Sequence, residues 1–503
     1  MNQRKAGVIL SYINMGTQAV VGFVYIPLLL HFLSQAQYGL YQLVGSMVAY
    51  IAVMDFGLAN TTVRYYARYR AQNDVQKQEN LLAIMLRLYT AISAGIVLVG
   101  AVLLYVLLPF YTRTLSAADL LTAKYVYWIM LFNLAFTIPG HIFSAIIQAH
   151  EKFIFLRAAN LCNIILQPVL VYIMLHFKPS IIALVGVQTV CNLLLFCANG
   201  YYALEKLHAR FHLYRWEGKF IKEVLFYSFF IFLNAIMDQI YWKTGQLILG
   251  AVVGTAVVAV YSVTVQLCQS YTSFSANISS VFLPRLAALG TREGMQEMNA
   301  IFIKVGRLQF YIVMLLFWGF MLFGRQFLHL WVGDDFMPAY TYTLILMGAL
   351  IIPLVQNTGI LILQAKNKHA FRALVFVAIA FLNVCLSIPL AKHYGALACA
   401  LVTGGCLILG QGFILNIYYA RLGICVATFF AQVLRILGVM LVPVGLAGYI
   451  LRYFPAEPSV WELAAQIAGF CVLYGLAVWT AMNNYEKNLI LSPLKKLICT
   501  NKF

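Results

Sequence analysis

The sequence predicts an all-α polytopic membrane protein with about fourteen transmembrane helices, and three observations predict it. The chain of 503 residues is 63% hydrophobic and only 10% charged, more apolar surface than a water-soluble fold can hide. Apolar runs of about twenty residues, the helical length that crosses ~30 Å of hydrocarbon, recur from end to end. One half of the chain also echoes the other. Gln148-Ala149-His150-Glu151-Lys152 closes an apolar run in the first half, and Gln364-Ala365-Lys366-Asn367-Lys368 closes its counterpart. Arg87-Leu88 and Arg307-Leu308 open matching runs, and Gln35-Ala36 followed by Tyr41 is echoed by Thr255-Ala256 followed by Tyr261. The matches keep an offset of about 220 residues, the weak internal symmetry that transporters carry. Two similar bundles facing each other make a cleft that can open to either side of a bilayer.

Hydropathy places the spans at 6–32, 39–65, 80–108, 124–147, 155–176, 181–204 and 224–250, then 256–283, 305–323, 340–363, 370–390, 396–419, 433–451 and 461–482. The repeat divides them into an N-terminal lobe at 1–220, a second lobe at 221–430, and an appended helix pair with a basic tail at 431–503. The longest connection, 205–223, joins the two repeats and carries His208, Arg210, Arg215, Trp216, Lys219 and Lys222. It reads as an amphipathic segment on the anionic inner leaflet, with substrate gating as the alternative. The first apolar run is too long for a cleavable signal peptide, and no small-residue cleavage site follows it.

A net charge of +18 suggests nucleic acid until its placement is read. With the N-terminus cytoplasmic, only Arg113, Lys124, Lys178, Arg325, Lys392 and Arg452 fall outside and Lys243 within a span, while the rest of the 34 Lys and Arg lie on or near the inner side. That asymmetry is the positive-inside pattern, and it puts both termini in the cytoplasm. The ten cysteines, among them Cys162, Cys191, Cys385 and Cys399, lack metal-ligand or redox spacing and read as small packing residues. No phosphate-binding loop, metalloprotease motif or nucleophile elbow is present. The sequence therefore names no catalytic residue, metal or cofactor.

Charges inside spans are costly and become functional candidates. On the helix of the second span Asp55 sits about 24 Å from the outer end, in the inner part of the membrane near the interface. On such a helix Arg64, nine residues later, faces the opposite side. Asp238 and Lys243 share the seventh span at a five-residue spacing that is poor for an intrahelical pair. Lys243 is the one clear embedded cation and a candidate for an anionic substrate, with an interfacial anchor beside Trp242 as the alternative. Arg87 and Arg307 hold matching places at the cytoplasmic starts of their helices. They can receive phosphate by bidentate hydrogen bonds or serve as ordinary basic flanks. Asn14 and Asn234 match in the repeat, as do Gln148 and Gln364. With the other amides inside spans these side chains suit sugar hydroxyls, or serve as glue between helices, and a lone His141 reads as a hydrogen-bonded packing residue rather than a proton relay.

Tyr38-Gly39-Leu40-Tyr41, then Asp55-x-Gly57-Leu58 and Arg64, resembles the start of the Wzx-type polysaccharide flippases. So do the outer loop Leu330-Trp331-Val332-Gly333-Asp334-Asp335-Phe336 and the two Gln-Ala-x-x-Lys segments. The family belongs to a superfamily that also holds MATE-like multidrug exporters and lipid II flippases. The resemblance implies two six-helix lobes around a central cavity plus a final helix pair. It implies export of a polyprenyl-pyrophosphate-linked oligosaccharide across the bacterial inner membrane by alternating access, alongside other polysaccharide-assembly proteins. A proton or sodium gradient would drive it, with Asp55 and Asp238 as coupling carboxylates. Lys243, Arg64, Arg87, Arg307, Asn14, Asn234, Gln148 and Gln364 would meet the substrate. A multidrug or cation exporter of the same fold is the nearest alternative. An O-antigen polymerase or ligase is the alternative from another class, but it would need a large outer loop.

Overall fold

The computed structural model describes residues 3–488 apart from Phe56, Glu217, 281–293, Asn367, His369 and 454–458. Arg285, Arg292 and the basic tail beyond residue 488 thus lie outside the described residues. Among the described residues every regular element is helical. A chain bathed in hydrocarbon requires this, since helices satisfy each backbone N–H and C=O internally. Among the described residues eleven helices are long and apolar enough to cross a membrane. Large apolar side chains such as Leu98, Tyr105 and Phe381 are exposed on the protein surface, which lipid tails tolerate as water does not.

The chain forms two compact units, Met1–Ser262 and Val263–Phe503. The first holds α1 (Gln3–Phe32), α2 (Gln35–Ala52), α3 (Leu58–Ala71), α4 (Val75–Tyr111), α5 (Ala117–Ala149), α6 (Phe153–Phe177), α7 (Ile181–Tyr201) and α8 (Gly218–Val252). It ends in the first turns of α9 (Thr255–Ser280). Serine and aspartate start these helices. Ser34 and Gln37 form a reciprocal capping box at α2, Asp74 accepts from the Lys77 amide at α4, and Ser116 accepts from the Asp119 amide at α5. Each such cap contributes about 1 kcal/mol by occupying an amide that the helix leaves unpaired. Helix α1 packs on α6, while α5 packs on α4 and α7.

The repeat alone sets a boundary between 220 and 221, but packing groups α8 with the first unit because it lies against α2. Gly39 shows how close the packing is. A Cβ there would strike the Thr255 carbonyl oxygen at the start of α9. The Tyr38-Gly39-Leu40-Tyr41 motif is therefore a packing motif. Tyr38 is fully buried and accepts from Gln42, while Tyr41 exchanges a hydrogen bond with Gln188 on α7.

The second unit continues α9 and adds α10 (Met295–Val332), α11 (Pro338–Val355), α12 (Asn357–Ala365), α13 (Ala370–Leu407), α14 (Leu415–Arg421), α15 (Val426–Ile450) and α16 (Val460–Ala481). The path of α13 breaks at Gly395, whose φ of 58° and ψ of −138° no helix holds. That is where the sequence separates the spans 370–390 and 396–419. The expected span 340–363 is interrupted at Gln356, whose side chain donates to Asn416 Oδ1 at 2.8 Å. Gln309 similarly ties α10 to Ser275 and Ser279 on α9 at 2.9 and 2.6 Å. These buried amides act as glue between helices.

The expectation of one continuous second span needs correction. Helix α2 stops at Ala52, a single 3₁₀ turn runs Val53–Asp55, and α3 begins after Gly57. Gly57 has φ 63°, a left-handed conformation open to glycine without steric cost. The face-by-face geometry of Asp55 and Arg64 drawn from an unbroken helix therefore does not apply.

Candidate functional site

In the first unit an open cavity of about 490 Å³, lined by polar and apolar side chains, lies between α5, α6 and α7. Each helix contributes a stripe at helical spacing. Thr137, His141, Ser144 and Gln148 come from α5, Arg157 and Asn160 from α6, and Asn192, Phe196 and Asn199 from α7. Side chains three, four and seven apart share a face, so the cavity is written in the sequence as three interrupted polar rows. The glycine at position 140 keeps the wall thin, since a Cβ there would run into the Phe196 ring.

The lining is rich in amides and holds one full cation. Arg157 is half-buried, and its carbonyl accepts from Asn14 Nδ2 at 3.0 Å, tying α1 to the cavity wall. Asn192 Nδ2 donates to Asn133 Oδ1 at 3.1 Å. Asn199 is buried, and among the described residues its Oδ1 has no hydrogen-bond partner. A buried acceptor left unpaired costs about 1–3 kcal/mol. No carboxylate lines the cavity. Asp55 stands beside a lining residue, with its Oδ1 3.4 Å from Nδ1 of His141. The helix break at Asp55–Gly57 thus brings that carboxylate to the cavity's edge through a residue of the lining.

The residues expected from sequence do not all gather here. Gln148 lines the cavity and Asn14 braces it. Lys243 is half-buried on α8 away from the cavity, and among the described residues no carboxylate pairs with it. Asp238 is exposed on the same helix. Arg64 and Arg87 are exposed, with the Arg64 guanidinium 5.9 Å from the Tyr65 ring. Gln364 is exposed at the end of α12, and the side chain of Asn234 lies outside the described residues. Arg307 is buried, and its Nε and Nη2 grip the Glu486 carboxylate at 2.7 and 3.0 Å. That edge of the Arg307 guanidinium is occupied by Glu486. Sequence reasoning missed Arg157, Asn192 and Asn199. The i, i+7 pair on α7 was the signal for the two asparagines, while Arg157 looked like one more inner-side flank. Among the described residues no group of His, Cys, Asp or Glu is arranged to hold a metal.

The model of the polysaccharide biosynthesis protein family matches residues 5–289, which include the cavity, Asp55 and Lys243. The chain belongs to that family. Among solved structures it is similar to the lipid II flippase MurJ in an inward closed conformation, with a TM-score of 0.74 and 14% identity over 96% of this chain and 100% of that one. It is also similar to an inward-facing multidrug resistance MATE family transporter of the MOP superfamily, with a TM-score of 0.64 and 12% identity over 84% and 99%. A third is a MOP superfamily transporter from Pyrococcus furiosus, with a TM-score of 0.55 and 14% identity over 84% and 97%. At these identities the likeness is one of fold: this member of the family is a polytopic membrane protein with a MurJ- and MATE-like transporter fold. No curated protein matches the chain.

Proposed function

We propose that the chain is a flippase. It carries a polyprenyl-pyrophosphate-linked oligosaccharide across the bacterial inner membrane for surface polysaccharide assembly. In this reading its fourteen spans form two lobes with both termini cytoplasmic, and the lobes alternate access. The observation that carries the proposal is the amide-lined cavity of about 490 Å³ inside a unit built of apolar helices. A sugar cannot enter hydrocarbon unless its hydroxyls are bonded. Asn160, Asn192, Asn199 and Gln148 offer donors and acceptors that replace water, and Phe196 offers an apolar ring face. Arg157 supplies charge for the phosphate-bearing end. Lys243, half-buried on α8 and outside this lining, is a separate candidate contact for the anion along its path. The volume falls in the range of small-ligand sites, ~300–1,000 Å³.

Energy comes from an ion gradient, with Asp55 as the coupling carboxylate and His141 as its partner. A discontinuous helix carrying an embedded charge is how secondary transporters commonly build ion sites. Asp238 is a weaker candidate because it is exposed. The cation-exporter alternative is disfavoured by a lining that offers a cation no carboxylate. The polymerase or ligase alternative finds no support in a family and fold of this kind.

The test is flipping of a fluorescent polyprenyl-pyrophosphate oligosaccharide in proteoliposomes. The parent is expected to flip it, and Arg157→Gln and Asn192→Leu to flip it at least about tenfold more slowly, the effect of ~1.4 kcal/mol on a barrier. Movement of a cationic dye by a parent that carries no glycan would replace this reading with the exporter.

A further inference from the structure

Arg307 and Glu486 form the most completely bonded charge cluster in the second unit among the described residues. Arg307 Nε donates to Glu486 Oε1 at 2.7 Å, and Nη2 donates to Oε2 at 3.0 Å. Nη1 donates to Gln432 Oε1 on α15 at 3.2 Å, and Nη2 also reaches the Ala481 carbonyl at the end of α16 at 3.3 Å. The carboxylate gains the Tyr311 hydroxyl at 3.1 Å and the Asn483 amide at 2.8 Å. The side chains of Arg307 and Glu486 are 8% and 2% exposed. Burial pushes the Glu486 carboxyl up, but Arg307 and the Asn483 amide outweigh it, so its pKa lies below the ordinary glutamate value.

The cluster is the centre of a docking stripe. Lys304, Arg307 and Tyr311 lie on one face of α10, three and seven residues apart. Lys304 Nζ stands 4.5 Å from the Tyr485 ring. Two turns up α16, the Tyr474 hydroxyl donates to the Tyr311 carbonyl at 2.8 Å. The repeat supplies a comparison. Arg87, at the matching place in α4, is exposed, and no carboxylate among the described residues pairs with it. The half with the appended helix pair is the half whose arginine is neutralised, and the neutralising carboxylate comes from the segment that follows that pair.

We propose that Glu486 is a docking anion that fastens the C-terminal helix pair to α10, which makes Arg307 a docking residue and not a substrate ligand. The charges hold each other in a setting where either one alone would be stranded, and stranding a buried charge costs far more than removing both. Lysine at position 307 would keep the charge but lose the fork that grips both oxygens.

The experiment compares the parent with Glu486→Gln, Arg307→Gln, Arg307→Lys, Tyr311→Phe and the Arg307→Gln/Glu486→Gln double variant, in native membranes. Trypsin cleavage at half-buried Lys487, read by mass spectrometry, reports release of the segment. Each charge-removing single variant should be cleaved at least about tenfold faster than the parent, since opening follows the lost stability. The double variant should fall back toward the parent. Tyr311→Phe, a mild change that spares the fold, should show a smaller acceleration. Equal cleavage in the parent, Glu486→Gln and Tyr311→Phe would overturn the docking role, as would a double variant as loose as the two singles combined. Flipping of the fluorescent oligosaccharide then separates docking from ligation. The double variant should flip near the parent rate, whereas a double variant as slow as Arg307→Gln would return Arg307 to the substrate site. If the parent flips no oligosaccharide, the cleavage pattern alone decides, so the two proposals fail separately.

Discussion

Nδ1 of His141 stands 3.4 Å from Oδ1 of Asp55, joining a cavity-lining position of α5 to the break between α2 and α3. A carboxylate at membrane depth is costly and is kept where it carries an ion or meets a substrate. Asp55→Asn keeps the shape and removes the charge. Oligosaccharide flipping driven by an imposed proton or sodium gradient should then drop at least about tenfold, while equilibration without a gradient persists. His141→Gln keeps a donor at about the same place and should fall between the two. The measurement is initial flipping rate in proteoliposomes with and without the gradient. A gradient response equal to the parent's in Asp55→Asn would remove Asp55 from the coupling role.

Asn199 sets stability against transport. Among the described residues its buried Oδ1 has no partner, so Asn199→Leu should raise the unfolding midpoint in detergent by relieving about 1 kcal/mol or more. The same change removes a hydrogen-bonding group from the cavity and should slow glycan flipping several-fold, a trade-off typical of binding sites. A variant that is less stable than the parent, or equally active, would show that Asn199 does not serve the cavity.

Much of this molecule is legible in its sequence because lipid leaves the chain few choices. Apolar runs became helices, and the weak pair of spans at 433–451 and 461–482 proved to be α15 and α16. The helix break at Asp55 was less legible, since one glycine amid apolar residues is tolerated in a membrane helix and hydropathy averages across it. The ion pair of Arg307 was not legible because its partner lies 179 residues away, and no local pattern announces a long-range ion pair. Arg157 was hidden among other inner-side cations; only the packing of α5 on α7 and α6 distinguishes it.

Gly39 and Gly57 are expected to fail in different ways. At Gly39 a Cβ meets backbone, the Thr255 carbonyl oxygen, which cannot turn aside. Gly39→Val should cost about 1–3 kcal/mol or more from overpacking and accumulate poorly in membranes. At Gly57 the obstacle is the left-handed φ of 63°. Gly57→Ala should cost about 1–2 kcal/mol, and Gly57→Asn less, because asparagine tolerates that region better. Fluorescence-detected size exclusion after heating ranks the variants. Equal midpoints for Gly57→Ala and Gly57→Asn would show that backbone conformation is not what holds glycine there.

His150, just past the end of α5, gives the junction between α5 and α6 an acid sensitivity with a definite sign. Its Nε2 lies 3.2 Å from the Tyr66 hydroxyl, and Arg70 donates to the adjacent Ala149 carbonyl at 3.1 Å. Burial, then the charges of Arg70 and Lys152, push the imidazole pKa down to about 4. In the unfolded chain it titrates near ~6.5. Between those values the unfolded state takes up the proton first, so acidification favours unfolding. The stability that neutral His150 contributes is complete above pH ~6.5 and falls as pH drops toward about 4. Below that it changes no further. His150→Gln keeps an acceptor for Tyr66 without a titrating group. Its unfolding midpoint relative to the parent should therefore rise steadily from pH 7 to pH 4, and a difference that stays constant over that range would show that His150 is not the group responsible.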